Sequence, residues 1–253
     1  LCISLREGVV VTARPVSTSA ADWDRRYGGA DLVWSAEPNV WVRERCEGLP
    51  PGWALDVAAG EGRNALWLVE QGWDAVATDF SAVAVARMGE IADRRLGDRR
   101  GAFTAVVADA TGPQPRPPSD LSVDSGTGGF ELVLLVYLHL PPEQWRAALA
   151  AAVDAAAPDG AVLVVAHALR NLTEGVGGPQ DPGILLDPDA VVDSAAGRLD
   201  VMANVREHIG DLRLELSGRS RVPGFAPVIT LDITTGQSGW RSESGSRGAT
   251  GRR

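Results

Sequence analysis

Short apolar runs alternate along this chain with stretches in which apolar positions recur every three to four residues, and Gly, Pro and Asp stand at the joints. Such a change of period, from strand-like to helical and back, is the signature of βαβ units around a parallel sheet. Trp53–Val57 reads as the first strand, and Arg63–Glu70 as a helix with Leu66, Trp67 and Val69 on its apolar side before Gly72 stops it. A second strand is predicted over Trp73–Thr78, a helix from an N-cap at Ser81 to about Leu96, and a third strand over Ala102–Val107. Thr111–Gly129, rich in Pro, Gly and Ser, reads as a loop. Phe130–Tyr137 is almost continuously apolar, which suits a central strand covered on both faces, and Pro141-Pro142 open a helix predicted through Ala157. Pro158-Asp159-Gly160 then makes a turn into a fifth strand over Ala161–Val165. A short helix at Ala190–Ala196 and antiparallel edge strands at Asp200–His208 and Val228–Thr234 complete the pattern. The fold expected is α/β: a doubly wound, Rossmann-like, mostly parallel seven-stranded sheet with an antiparallel edge and helices on both faces. One domain over 21–236 is expected, between disordered segments at 1–20 and 237–253.

The chemistry concentrates after the first strand, in Leu55-Asp56-Val57-Ala58-Ala59-Gly60-Glu61-Gly62-Arg63-Asn64-Ala65. Gly60 and Gly62 allow a sharp turn and a close ligand, and the next helix aims its N-terminus at the same place. A pyrophosphate would be repelled by Asp56 and by Glu61 between the glycines, so a cationic ligand suits the turn better.

Composition removes other classes. The 24 residues counted as Lys+Arg are all arginine, so the Walker A lysine, the Schiff-base lysine and the Tyr-x-x-x-Lys pair are missing. A net charge of −9 speaks against a nucleic-acid or anionic membrane partner. Cys2 and Cys46 are far apart with no Cys-x-x-Cys, which suggests neither a disulfide framework nor a thiolate metal site, and no metal is expected. No apolar run reaches the ~20 residues of a membrane span, and a cytoplasmic monomer or homodimer with a small-molecule partner is the expectation.

Acidic residues fall at the carboxyl ends of three consecutive predicted strands, where open α/β sheets bind ligands. Asp56 ends the first. Asp79, nineteen residues after Gly60, stands where an acid accepts from both ribose hydroxyls of a nucleoside. Asp109 ends the third and could accept from an adenine amino group, with Phe80 and Ala110 as apolar cover. Each is also an ordinary strand-end turn residue; together around one glycine turn they describe an adenosine-shaped ligand.

These motifs, with Asp79-Phe80-Ser81 and Asp109, resemble the cofactor motifs of class I S-adenosylmethionine (SAM)-dependent methyltransferases. Trp23-Asp24-x-x-Tyr27, Trp34, Pro38-Asn39, Tyr137-Leu138-His139-Leu140-Pro141 and Asn171–Gln180 extend the likeness to a bacterial small-molecule branch similar to the tellurite-resistance and thiopurine methyltransferases. The resemblance covers about Trp23 to Gln180 and departs beyond His208. It implies SAM as cofactor, held by Asp56, Gly60 and Gly62 at the methionine part, by Asp79 at the ribose and by Asp109 at the adenine, with Ala58, Arg63, Asn64, Phe80, Ser81 and Ala110 among the cofactor-binding residues. Arg63 is either a ligand of the cofactor carboxylate or a helix-surface arginine. Trp23, Tyr27 and Trp34 are either a cap over the cofactor or plain core packing.

A sulfonium methyl is already activated, so transfer needs chiefly a nucleophile held about 3–3.5 Å away with water excluded. A thiolate needs no base, whereas a hydroxyl or protonated amine gains from a histidine. His139 and His167 follow the fourth and fifth strands and, with Tyr137, are the candidate catalytic residues; a lone strand-end histidine can equally be structural. The loop Glu174–Gln180 could close over an acceptor or merely connect. The fourth-strand end lacks the Asn/Asp-Pro-Pro-aromatic run of enzymes that methylate base or amide nitrogens. The expected activity is methyl transfer to a small-molecule acceptor, a thiol or other soft nucleophile. An NAD(P)-dependent oxidoreductase and a non-catalytic binder of SAM or S-adenosylhomocysteine (SAH) are the alternatives.

Overall fold

The computed structural model describes residues 19–29, 31–118, 128–174, 178–187, 189–191, 204–212 and 224–234. Its elements run α1 (Ala20–Tyr27), α2 (Val40–Cys46), β1 (Trp53–Val57), α3 (Arg63–Glu70), β2 (Asp74–Asp79), α4 (Ala82–Arg95), β3 (Phe103–Val107), β4 (Phe130–Val136), α5 (Pro142–Ala155), β5 (Ala156–His167), α6 (Asn171–Glu174), β6 (Asn204–Leu212) and β7 (Gly224–Thr234). The strands form one seven-stranded sheet in the order β3-β2-β1-β4-β5-β7-β6. The first five are parallel, while β7 pairs antiparallel with both β5 and β6. The chain reverses its direction of travel across the sheet between β1 and β4, and that switch point is where an open parallel sheet leaves a crevice.

Alternate residues of the central strands supply two cores. Leu55, Val57, Val133, Leu135, Val162 and Val164 face α5, which contributes Trp145, Ala148, Leu149 and Ala152. Ala54, Leu132, Leu134, Leu163 and Val165 face the other way, against Val42 and Cys46 of α2 and Trp67 and Leu68 of α3. A third cluster joins Ala65, Leu66 and Val69 of α3 to Met88 and Ala92 of α4 over Ala75 and Ala77. Burial on both faces explains why these strands read as nearly continuous apolar runs.

Several boundaries differ from the sequence reading. The helix expected through Ala157 ends at Ala155, because Ala157 precedes Pro158 and is disfavoured in the helical region. The turn expected at Pro158-Asp159-Gly160 is instead an irregularity inside β5: Ala156 pairs with Phe130 and Ala161 with Leu132. Glycine permits it, since a Cβ on Gly160 would lie 2.7 Å from the Phe130 carbonyl oxygen. The helices α1 and α2, absent from the sequence reading, start at Ser19 and Asn39, whose side chains accept from Asp22 N–H and Trp41 N–H. The edge strands are Asn204–Leu212 and Gly224–Thr234, with β7 inside and β6 outermost. Of the expected 190–196 helix, residues 190 and 191 are helical and the rest lie outside the described residues. So do residues 1–18, the 237–253 segment and residues 119–127 and 175–177 of the two expected loops.

Candidate functional site

The carboxyl ends of β1 and β4 carry two non-glycine residues with positive φ, Ala58 and Tyr137, both at 55°. Left-handed backbone costs an L-residue roughly 1–2 kcal/mol, so these adjacent strand ends are strained where they flank the switch point. Tyr137 is locked there by its N–H, which donates to the Val165 carbonyl at 2.7 Å. Ala59 N–H donates to Thr78 O at 2.8 Å, tying the glycine turn to β2. Gly60 (φ 60°) and Gly62 (φ 79°) complete the turn, and Gly62 leads into α3.

Two buried carboxylates face this turn. Asp56 accepts from Ala65 N–H at 3.2 Å in the first turn of α3. Burial pushes its pKa up to about 7, against the pull of the Ala65 bond and the Arg63 charge, while Asp79 adds to the rise. Asp79 accepts from Gly60 N–H and from Ser81 N–H, each at 2.9 Å. Burial also raises its pKa, and the two backbone bonds oppose that rise. Neither carboxylate is ion-paired among the described residues.

Glu61 behaves differently. Its Oε2 accepts from Val33 N–H at 2.9 Å and Trp34 N–H at 3.1 Å, and its Oε1 lies 3.2 Å from Nη2 of Arg87. The charge between the glycines is thus paired with Arg87 and its other oxygen spent on the Val33 and Trp34 amides. The case against a pyrophosphate therefore rests on Asp56 and Asp79 alone.

The N-terminal aromatics gather on the glycine turn. Trp34 Nε1 donates to Tyr27 Oη at 3.2 Å, and a Cβ on Gly60 would come within 2.8 Å of that hydroxyl and 3.2 Å of that indole nitrogen. Trp23 stacks on Tyr27 with centroids 5.4 Å apart, and the Arg26 guanidinium lies 4.8 Å from the Trp23 ring and 5.5 Å from the Trp34 ring. Burial raises the Tyr27 pKa and keeps its hydroxyl protonated. Asp24 anchors α1 to α4: its Oδ1 accepts from Ser81 Oγ at 2.5 Å, while Ser81 caps α4 by accepting from Ala84 N–H at 3.1 Å.

The three candidate catalytic residues, scattered in sequence, meet at the ends of β4 and β5. His139 Nε2 and His167 Nδ1 share a hydrogen bond of 3.0 Å, and Tyr137 stacks on His167 with centroids 4.8 Å apart. Burial pushes both histidines down to about 4, with His139 adding to the effect on His167. Both are neutral at pH 7, so whichever donates across the pair, one outer ring nitrogen keeps a free lone pair and the other an N–H. Burial also raises the Tyr137 pKa, against a hydrogen bond from Asn39 and the Arg63 charge. Gly178 rests on this cluster, since a Cβ there would be 3.0 Å from His167 Cδ2.

The remaining candidates are more peripheral. Arg63 Nη1 donates to Ser35 Oγ at 3.0 Å, and burial lowers its pKa while Tyr137, Asp56 and Tyr27 counter that. Asn64 is structural as well as adjacent, because its Oδ1 accepts from Asn39 N–H at 2.8 Å and so sets the start of α2. Asp109 is exposed and its Oδ1 caps its own turn, accepting from Thr111 N–H and Oγ1 at 2.8 Å. Phe80 and Ala110 are half-buried. Arg87 and Ser35 escaped sequence reasoning because arginine on a helix and serine in a loop carry no local signal.

Residues 54–160 match a family described as a methyltransferase domain. Those residues form a class I SAM-dependent methyltransferase domain. No curated protein matches the chain in sequence. Among solved structures, the methyltransferase resembles one obtained for the conversion of a disulfide bond into a thioacetal group during echinomycin biosynthesis, with 19% identity, TM-score 0.62, and 89% of this chain and 93% of that one covered. The glycopeptide N-methyltransferase MtfA complexed with SAM gives 18%, 0.54, and 79% and 95%. TehB from Haemophilus influenzae gives 14%, 0.55, and 83% and 65%. At these identities the likeness is one of fold. SAM is the methyl donor of the domain, and the residues present fit it: an ionised carboxyl accepts at about four lone-pair sites, so Asp79 retains acceptor capacity beyond its two backbone bonds. Among the described residues no helix is long and apolar enough to cross a membrane, and no cluster of His, Cys, Asp and Glu could hold a metal.

Proposed function

We propose that this methyltransferase acts on a small molecule whose nucleophile is a thiol or a comparably soft atom. The observation that carries the reading is the His139–His167 pair, held neutral by burial at the ends of β4 and β5. A base with a pKa near 4 is weak, so it matches an acceptor that gives up its proton readily, which favours a thiol over an alcohol. The soft acceptor rests on that base and not on any fold relative.

In this reading Asp79 accepts from the ribose hydroxyls, with Phe80 and Ser81 beside it. Asp109 and Ala110 meet the adenine. Asp56, Ala58, Gly60, Gly62 and Arg63 surround the methionine portion, with Asn64 holding the turn, and Trp23, Tyr27 and Trp34 form the outer wall. SAM supplies an electrophilic methyl when bound. Tyr137 orients His167 by stacking, and the pair accepts the acceptor's proton at its free nitrogen as the nucleophile is held in line. A net charge of −9 disfavours nucleic acid as the acceptor.

Thermal unfolding with SAH tests the cofactor site, since a ligand at about 100 times its Kd adds about 2.7 kcal/mol. SAH release from SAM is then followed over a panel of small thiols, alcohols and amines. Turnover confined to thiols supports the reading. Turnover with alcohols or amines alone, or SAH binding with no turnover on any acceptor, overturns it.

A further inference from the structure

We propose that Glu61 and Arg87 are positioning residues of the cofactor site: together they latch the segment after α1 over the glycine turn and thereby set how fast the cofactor leaves. The proposal rests on the assignment of that turn to SAM.

Arg87, on α4, is 17% exposed and spends its guanidinium on one target. Nη1 donates to the carbonyl oxygens of Tyr27 at 2.5 Å and Gly29 at 2.7 Å, and Nη2 donates to that of Asp31 at 3.0 Å while lying 3.2 Å from Glu61 Oε1. Glu61 takes the next two backbone groups, accepting from Val33 and Trp34 N–H. One ion pair thus engages the backbone of Tyr27, Gly29, Asp31, Val33 and Trp34 in succession. Hydrophobic burial does not hold this stretch, since Leu32 and Trp34 are 43% and 39% exposed. The helix before it is fixed separately, through Asp24 at the start of α4. The backbone of the segment between is therefore engaged by these two side chains, while the Trp34 indole is also held by the Tyr27 hydroxyl and lies near Arg26, and the segment carries Trp34 onto Gly60. Only an arginine fork serves three carbonyls and a carboxylate at once; a lysine has three donors on a single atom.

The test is Arg87→Met, with Arg87→Lys as the conservative variant. Hydrogen exchange on the protein without cofactor reads the latch directly, because the Val33 and Trp34 amides are its hydrogen-bond donors. Arg87→Met should speed their exchange at least about tenfold while the Ala84 and Gly28 amides keep wild-type protection. SAH should dissociate about ten to a hundred times faster, and the KM for SAM should rise in step while kcat at saturating SAM stays within about threefold. Arg87→Lys should recover part of the SAH residence time. Wild-type SAH dissociation in Arg87→Met overturns the proposal, whether or not the two amides exchange faster. If that variant does not fold, Glu61→Gln, which keeps an acceptor oxygen but loses the charge, must itself shorten SAH residence, and wild-type residence overturns the proposal. A wild-type chain that fails to bind SAH removes the cofactor assignment itself, and a wild-type control separates that outcome from failure of the latch.

Discussion

Replacing Asp56 by asparagine probes the electrostatics of the glycine turn. The native carboxyl is 2% exposed and has its pKa pushed up from 3.8 to about 7 by burial. A raised pKa means the folded state binds the proton more tightly, so the stability it confers is fully present below about pH 4 and is lost as pH rises through about 7. Over that whole interval the change is about 4 kcal/mol, at about 1.4 kcal/mol per pH unit. Asparagine does not titrate. The stability of Asp56→Asn relative to wild type should therefore improve by about 2 kcal/mol between about pH 5.5 and about pH 8.5. Urea unfolding of both proteins across that range gives the difference. The difference is the right quantity, because His139 and His167, depressed from 6.5 to about 4, lose their contribution as pH falls and impose that opposite slope on both proteins. Arg63 and Asp79, which also act on Asp56, are likewise common to both. Two stability curves that run parallel over this range would refute the argument. If the proposed assignment holds, an ammonium beside Asp56 favours its ionised form, so SAH binding should release a proton and tighten as pH rises toward about 7. Calorimetry in buffers of different ionisation heat reads that proton, and Asp56→Asn should release fewer protons than wild type.

Other consequences are as direct. His139→Ala or His167→Ala should lower kcat/KM for the acceptor by about 10²–10⁴-fold with SAH affinity unchanged, and wild-type turnover should fall as pH drops through about 4. Asp79→Asn should cut SAH affinity at least about tenfold and cost about 1–3 kcal/mol, because its one amide oxygen serves only one of the Gly60 and Ser81 N–H groups, which Asp79 accepts on separate oxygens; Asp79→Ala, which leaves both without a partner, should cost about that much for each. Gly60→Ala should destabilise by more than about 1 kcal/mol in urea unfolding, since it meets both a positive φ and the Tyr27 hydroxyl 2.8 Å from the new Cβ.

Much of the architecture was legible along the chain. Trp53–Val57 and Arg63–Glu70 stand where the pattern put them, and Ser81 caps α4 as its side chain allows. These elements are governed by local rules: apolar period, glycine stops and a hydroxyl that satisfies an unpaired N–H. The placement of Asp56 and Asp79 beside the glycine turn was legible for the same reason, since a strand end followed by glycine has few geometries.

The sequence by itself therefore determined the central βαβ units and the acidic, lysine-free chemistry at the strand ends. Tertiary structure decided what those residues touch. Glu61 looked like a ligand-facing charge and became half of a latch, because its partner Arg87 lies a full helix away and no local spacing joins them. His139, His167 and Tyr137 became one cluster only when β4 and β5 paired, bringing side chains 28 residues apart to 3.0 Å. Burial, which is a property of the packed fold and not of any residue, then set the pKa values of Asp56 and the two histidines.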